Sequence, residues 1–171
     1  VDGFFRSQKG EWDSNGQAIW SVYKTSLMAS DLKILADNFH FLFNGVKWID
    51  KKRLKVKEFK DKNFFGLLTA GLSAEHLGHT DFYYWDNFWS IAGIKSFVHI
   101  CKLLNKKSEL IYAENLLSEY ESNMFSSIEK VKNTENINVI PASPSRGIDY
   151  GMIGSVSAYY PLQIIPAEGS S

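Results

Sequence analysis

Apolar positions in this chain recur mostly at the three- and four-residue spacing of helices, and strand-like alternation is almost absent. Over residues 14 to 27, Ala18, Ile19, Val22, Tyr23 and Leu27 form one stripe, which predicts a helix with Asp13 or Ser14 at its N-cap. From Asp31, which can cap the next helix, Leu32, Leu35, Ala36, Phe39, Leu42, Phe43 and Val46 repeat to about Trp48, completing a helical hairpin. A second hairpin is predicted further on. Its first helix runs from Trp85 to about Leu104 with Ile91, Ile94, Phe97, Val98, Cys101 and Leu104 inward. Its second runs from Ser108, beside Glu109, to about Val131 with Ala113, Leu116, Leu117, Tyr120, Met124 and Ile128 inward. Asp149 can cap a fifth helix through Ile153 and Val156 until Pro161 stops it, and residues 138 to 140 are the one weak strand candidate.

Between the hairpins, residues 47 to 62 are rich in Lys and Arg and read as a solvated helix end and loop in preference to a patch for an anionic partner. Residues 64 to 84 break periodicity with Gly66, Gly71 and Gly78 while carrying Glu75, His76, His79, Asp81 and three consecutive aromatics, which is loop composition with unusual chemical content. The segments repeat. Trp12-Asp13 precedes the first hairpin, Trp85-Asp86 the second and Ile148-Asp149 a third start, at offsets of 73 and 63 residues. Chemically rich loops feeding inward helices are the pattern of an α/α toroid, whose central pocket is lined by those loops. Six hairpins at this period need about 400 residues. The fold expected is therefore all-α, a single domain over residues 1 to 171 made of antiparallel hairpins that form about half of an (α/α)6 toroid.

Composition narrows the function. The chain has 171 residues, with 19 basic and 19 acidic side chains and a formal net charge of +0, so it lacks the field of a general phosphate-backbone binder, and no nucleic acid is expected as partner. Mean hydropathy is -0.20 and no apolar run reaches spanning length, so no membrane span is expected. The single cysteine, Cys101, forms no internal disulfide or Cys-based zinc site and reads as a small buried hydrophobe. All four prolines lie from Pro141 onward, leaving the first 140 residues free to form long helices. The chain starts at Val1 without a signal-type segment and reads as an excised piece, with a cytoplasmic location expected.

Aromatics make up 15% of the sequence, and many cluster beside carboxylates instead of following a core period. The first such loop offers Glu11, Trp12, Asp13, Asn15 and Gln17; the second offers Glu75, His76, Asp81, Tyr83, Tyr84, Trp85, Asp86 and Trp89. Glycosidic cleavage requires these types: a protonated carboxyl at the leaving oxygen, a carboxylate opposite, and aromatic faces that hold the ring. Glu75, between Ala74 and Leu77 and near many aromatics, sits where a carboxyl pKa can rise. Asp86 either caps its helix, accepts bonds from sugar hydroxyls or serves as the alternative acid. Asp13 carries the same duality, whereas Asp149 reads as a cap. Each of Trp12, Tyr84, Trp85 and Trp89 can stack on a pyranose or pack between helices. Glu75, His76, His79 and Asp81 include metal-ligand types, but without a HExxH helix neither a metal nor another cofactor is expected. His40 and His99 read as helix residues without chemistry.

Three segments carry a resemblance: GEWDSNGQAIWSVYK (10 to 24), GLLTAGLSAEHLGHTDFYYWDNFWSIAGIKS (66 to 96) and SRGIDYGMIGSVSAYYPL (145 to 162). In order and content they resemble segments of the six-hairpin glycosidases, in particular the glucoamylase-like proteins of glycoside hydrolase family 15. The WD and YWDNFW elements are also similar to trehalases and glucosidases of that superfamily. The resemblance implies a parent glycoside hydrolase acting on α-glucans or related oligosaccharides by inverting acid/base hydrolysis, with water between carboxylates about 6.5 to 9.5 Å apart. It implies Glu75 as general acid; the residues themselves offer Asp86 as the alternative acid or sugar binder, and Glu11, Trp12, Asp13, Tyr84, Trp85 and Trp89 as substrate binders. No residue matches the family's late catalytic base, Glu168 lying in a tail after Pro166, so this chain alone is expected to be inactive. The competing readings are a non-catalytic carbohydrate-binding or scaffold domain, and a toroid enzyme of another reaction such as a lyase or epimerase. Expected partners are an oligosaccharide or polysaccharide and the remaining hairpins of the ring, with self-association of the isolated half ring a further expectation.

Overall fold

A computed structural model describes residues 2–55, 63–72 and 79–165. These residues form α1 (Ser14–Ala29), α2 (Lys33–Lys52), α3 (Tyr84–Leu103), α4 (Lys107–Glu135) and a 3-10 helix (Tyr150–Ala158). Among them pairing is limited to isolated bridges such as Gly71 with Asp81, and residues 138 to 140 form no strand. The protein is all-helical.

Local chemistry accounts for several boundaries. The Asp31 carboxylate accepts the Lys33 N–H at 2.8 Å, and that of Asp149 accepts the Gly151 N–H at 2.8 Å. Asn105 and Asn136 end α3 and α4 at φ of 55° and 52°, a left-handed geometry that Asn tolerates better than most side chains. Ser108 does not cap α4; its hydroxyl donates to Glu109. The fifth helix is 3-10 in form. Gly151 and Gly154 weaken its α propensity, while Ser155 and Ser157 donate to the carbonyls of Pro141 and Gly154.

The packing order is not that of an up-and-down bundle, where the first and third helices lie diagonally apart. Here α1 and α3 are intimate neighbours, α1 and α4 do not touch, and the 3-10 helix packs on the other flank of α3. Pairs from N- to C-terminus, Asp13 with Trp85, Trp20 with Trp89 and Tyr23 with His99, show that α1 and α3 run parallel in near-constant register. Each is backed by its hairpin partner, α2 or α4.

Glycine permits that approach. A Cβ on Gly16 would lie 2.1 Å from the Trp89 carbonyl oxygen, and one on Gly93 would lie 2.7 Å from the Gly16 Cα. α3 is consequently enclosed by α1, α2, α4 and the 3-10 helix and buries Phe88, Ile91, Ile94, Phe97, Ile100 and Cys101 completely. On α1 the buried face is Asn15, Gly16, Ile19 and Ser26, whereas Leu27, expected inward, is 44% exposed. On α1 it is Gly16, Trp20 and Tyr23 that meet α3, while Asn15 turns to the Gly3 and Gly45 carbonyls.

Candidate functional site

The loops leading into α1 and α3 meet. Asp13 Oδ2 accepts the Trp85 indole N–H at 2.7 Å and the Gln17 side-chain amide at 2.7 Å. Burial, with the nearby Glu11 charge, raises the Asp13 pKa above the usual carboxylate range even though the Trp85 bond opposes the rise. Asp86 lies in the first turn of α3 but does not cap it, since no side chain caps that helix. The backbone N–H groups of Trp12 and Asp13 donate toward its carboxylate instead, so it ties the start of α1 to α3. It is 2% exposed, and burial, reinforced by Asp13 and Glu11, pushes its pKa well up. A carboxyl so enclosed presents no open face to a substrate and acts here as a structural acceptor. Glu11, at the same junction, accepts the Ser7 hydroxyl at 3.2 Å.

Of the aromatic candidates, Tyr84 is closed off from any ligand, whereas Trp12 is half-buried and lines a cavity with Phe4, Arg6 and Gln8. Tyr84 is fully buried, its hydroxyl 2.7 Å from Ser127 Oγ, so it belongs to the core and offers no stacking face. Trp12 donates its indole N–H to the Ala70 carbonyl at 2.9 Å, and Lys52 Nζ lies 3.7 Å from its ring centroid, occupying one face. Its neighbours Phe4 and Trp48 make it part of a packed aromatic cluster. Asp81 is likewise structural, accepting the Ser143 hydroxyl at 2.7 Å and bridging to Gly71. Glu75 and His76 lie outside the described residues. Among the described residues no group of three acidic, His or Cys side chains is arranged to hold a metal ion, and no helix is long and apolar enough to cross a membrane.

Trp85 and Trp89 remain partly exposed and form an edge-to-face pair 5.8 Å apart; Trp89 makes a second such contact, at 5.7 Å, with Trp20 of α1. Three indoles thus step from the Asp13 junction down the seam between α1 and α3. The seam then opens into a groove of about 180 Å³ that includes Trp20, Tyr23, Lys24, Lys95, His99 and Gln163, with no residue from α2 or α4 in its lining. This mixture of aromatic faces and polar donors can hold a polyhydroxylated or charged ring.

Trp20 and this groove were not marked by any loop motif, because α1 and α3 contribute to it from positions some seventy residues apart. Two buried asparagines hold the junctions, Asn15 offered by the sequence as a sugar-site residue and Asn87 not singled out by it. Asn15 accepts the Phe5 N–H and donates to the Gly3 and Gly45 carbonyls; Asn87 accepts the Leu68 N–H and the Tyr120 hydroxyl and donates to the Tyr83 carbonyl. The signal available was their shared place just after each Trp-Asp pair. Compared with protein-family models, with curated proteins and with solved structures, the chain has no match.

Proposed function

We propose that this chain is part of an α/α-toroid carbohydrate-active domain, with α1, α3 and the 3-10 helix as consecutive inner helices and α2 and α4 as outer ones. The parallel, in-register packing of α1 on α3 supports the ring order, since sequential inner helices of a ring run side by side in the same direction. The exposed apolar flank of the 3-10 helix, Ile153 and Val156, continued by Tyr160 just after it, is the surface that a following hairpin would cover. The sugar-binding reading is carried by one observation, the Trp85, Trp89 and Trp20 ladder along the seam, since indole faces are the standard support for pyranose rings.

In the complete ring, hydrolysis of α-linked glucans would use Glu75 as proton donor and a base supplied by a hairpin beyond those in hand. Asp13 and Asp86 are committed to bonds within the fold, which favours binding over catalysis for the face that this chain supplies. Titration of the chain with maltoheptaose, followed by tryptophan fluorescence, tests the reading. Quenching is expected, with Trp89→Ala weakening it about tenfold, within the range of a lost aromatic stack, and without release of reducing ends. No quenching by any oligosaccharide in a panel would refute the sugar platform. Turnover abolished by Glu75→Gln would refute the claim that the chain alone is inactive.

A further inference from the structure

Below the tryptophans the seam changes chemistry. Lys24 of α1 holds its ammonium 5.6 Å from the Trp20 ring centroid and 5.9 Å from that of Tyr23, over the aromatic floor. From α3, Lys95 and His99 lie one helical turn apart on the same exposed stripe, and the His99 imidazole stacks on Tyr23 at 5.8 Å with an interplanar angle of 10°. The third wall is Leu162 and Gln163, the latter held at φ 50°, a left-handed backbone that a Gln adopts at some cost. Among the described residues no carboxylate lines the groove. Glu114 is paired with Lys102 at 2.9 Å, and Glu121 of α4 acts on Lys95 from outside the lining. Among the described residues neither Lys24 nor Lys95 forms an ion pair.

We propose that this groove is an anion subsite that takes the carboxylate or phosphate of an acidic sugar, with Lys24 and Lys95 as the charged donors, Gln163 as a neutral donor and the Tyr23–His99 stack as floor. The proposal rests on the reading of the tryptophan ladder as a sugar platform and narrows its substrate class to a chain or monosaccharide that also bears a negative group, preferred over its uncharged counterpart. Two cations from different helices converging on an aromatic floor provide both the charge and the ring contact that such a ligand offers. The local field is already felt by His99. Burial and the positive charges of Lys102, Lys95 and Lys24 hold its pKa below the ordinary value, so at neutral pH the imidazole is uncharged. An arriving anion reverses that balance and favours the imidazolium, which adds a third cation. By linkage, affinity for the anion therefore rises as pH falls through the His99 titration, opposed by Glu121 only at Lys95.

The test uses the 171-residue chain and four probes: maltotriose, trigalacturonate, glucose 6-phosphate and inorganic phosphate. Binding is read by tryptophan fluorescence for the ladder and by the His99 imidazole NMR signal for the groove. The expected result is that at least one of trigalacturonate and glucose 6-phosphate binds tenfold or more tightly than maltotriose and raises the His99 pKa. Lys24→Gln and Lys95→Gln should each weaken that ligand about tenfold, as expected for a lost charged hydrogen bond, and leave maltotriose unchanged. If maltotriose binds as well as the acidic sugars, or the lysine variants change nothing, the anion subsite is overturned while the sugar platform stands. If inorganic phosphate binds as tightly as glucose 6-phosphate and no sugar quenches tryptophan, the assignment to a sugar is overturned together with the platform. A His99 signal that moves with none of the four probes overturns the subsite outright.

Discussion

Replacing Gly16 by alanine tests the central packing claim. The new methyl would lie 2.1 Å from the Trp89 carbonyl oxygen, 2.3 Å from its carbonyl carbon and 2.7 Å from the Ser90 nitrogen, all backbone atoms that no rotamer change can move. Restoring an ordinary contact requires α1 to withdraw by about 1 Å, and a gap of that size forfeits roughly a quarter to a half of the dispersion attraction across the interface. Overpacking of this kind costs about 1 to 3 kcal/mol and sometimes more, and the better helix propensity of alanine returns about 1 kcal/mol. Because the obstacle is backbone on both sides, the upper end of the range applies, and a net loss of about 2 kcal/mol or more is expected. Gly93→Ala, whose methyl would sit 2.7 Å from the Gly16 Cα, should cost less. Gly147→Ala provides the control, since its nearest contact is the Glu135 carboxylate at 3.9 Å, and it should be neutral or slightly stabilising. Urea unfolding followed by circular dichroism gives all three values. A Gly16→Ala protein as stable as the parent would show that α1 and α3 do not meet through these glycines.

The remaining predictions concern the buried polar groups. A carboxyl whose folded-state pKa is raised stabilises the fold fully below its unfolded value, and that contribution is lost as pH rises through the folded one. Asp86 therefore makes stability fall from about pH 4 toward neutrality. Asp86→Asn should flatten that decline, the difference shifting in the variant's favour by ~1.4 kcal/mol for each tenfold elevation of proton affinity; parallel pH profiles would refute the assignment. Asn87→Ala takes the shared acceptor from the Leu68 N–H and the Tyr120 hydroxyl in the core, while the Tyr83 carbonyl keeps the backbone N–H of residue 87. At ~1 to 3 kcal/mol per buried orphan, and with incomplete additivity, a loss of about 3 kcal/mol or more is expected. A domain of this size should then melt about 6 to 12 °C lower in thermal denaturation. A change within a degree or two would mean that these groups find other partners.

The four long helices were legible because each satisfies its backbone internally and advertises its buried face by period. Predicted and observed boundaries differ by only a few residues. The cap at Asp149 was legible for the same local reason, whereas the cap position of α2 falls on Leu32 and Asp31 braces the first turn from one residue earlier. Legibility failed where one residue type serves two ends. Asp86 stands where a helix-capping carboxylate would, yet its donors are the amides of Trp12 and Asp13, more than seventy positions earlier. Tyr84 and Trp85 are adjacent aromatics at the same junction. The turn of the helix sends the first into the core against Ser127 and the second to the open seam, bonded to Asp13.

By itself, the sequence determined helix content, hairpin order and the repeat of Trp-Asp junctions, all of which depend on contacts within a few residues or on spacing along the chain. Tertiary structure alone decided that α1 lies directly on α3, because that contact depends on two glycines whose lack of a Cβ matters only when the other backbone arrives. It also decided which carboxylates are consumed in holding the junction and which aromatics stay open. The groove of Lys24, Lys95 and His99 exists only through the parallel register of two helices, since charges on separate helices form one site only after packing brings them within a few ångströms.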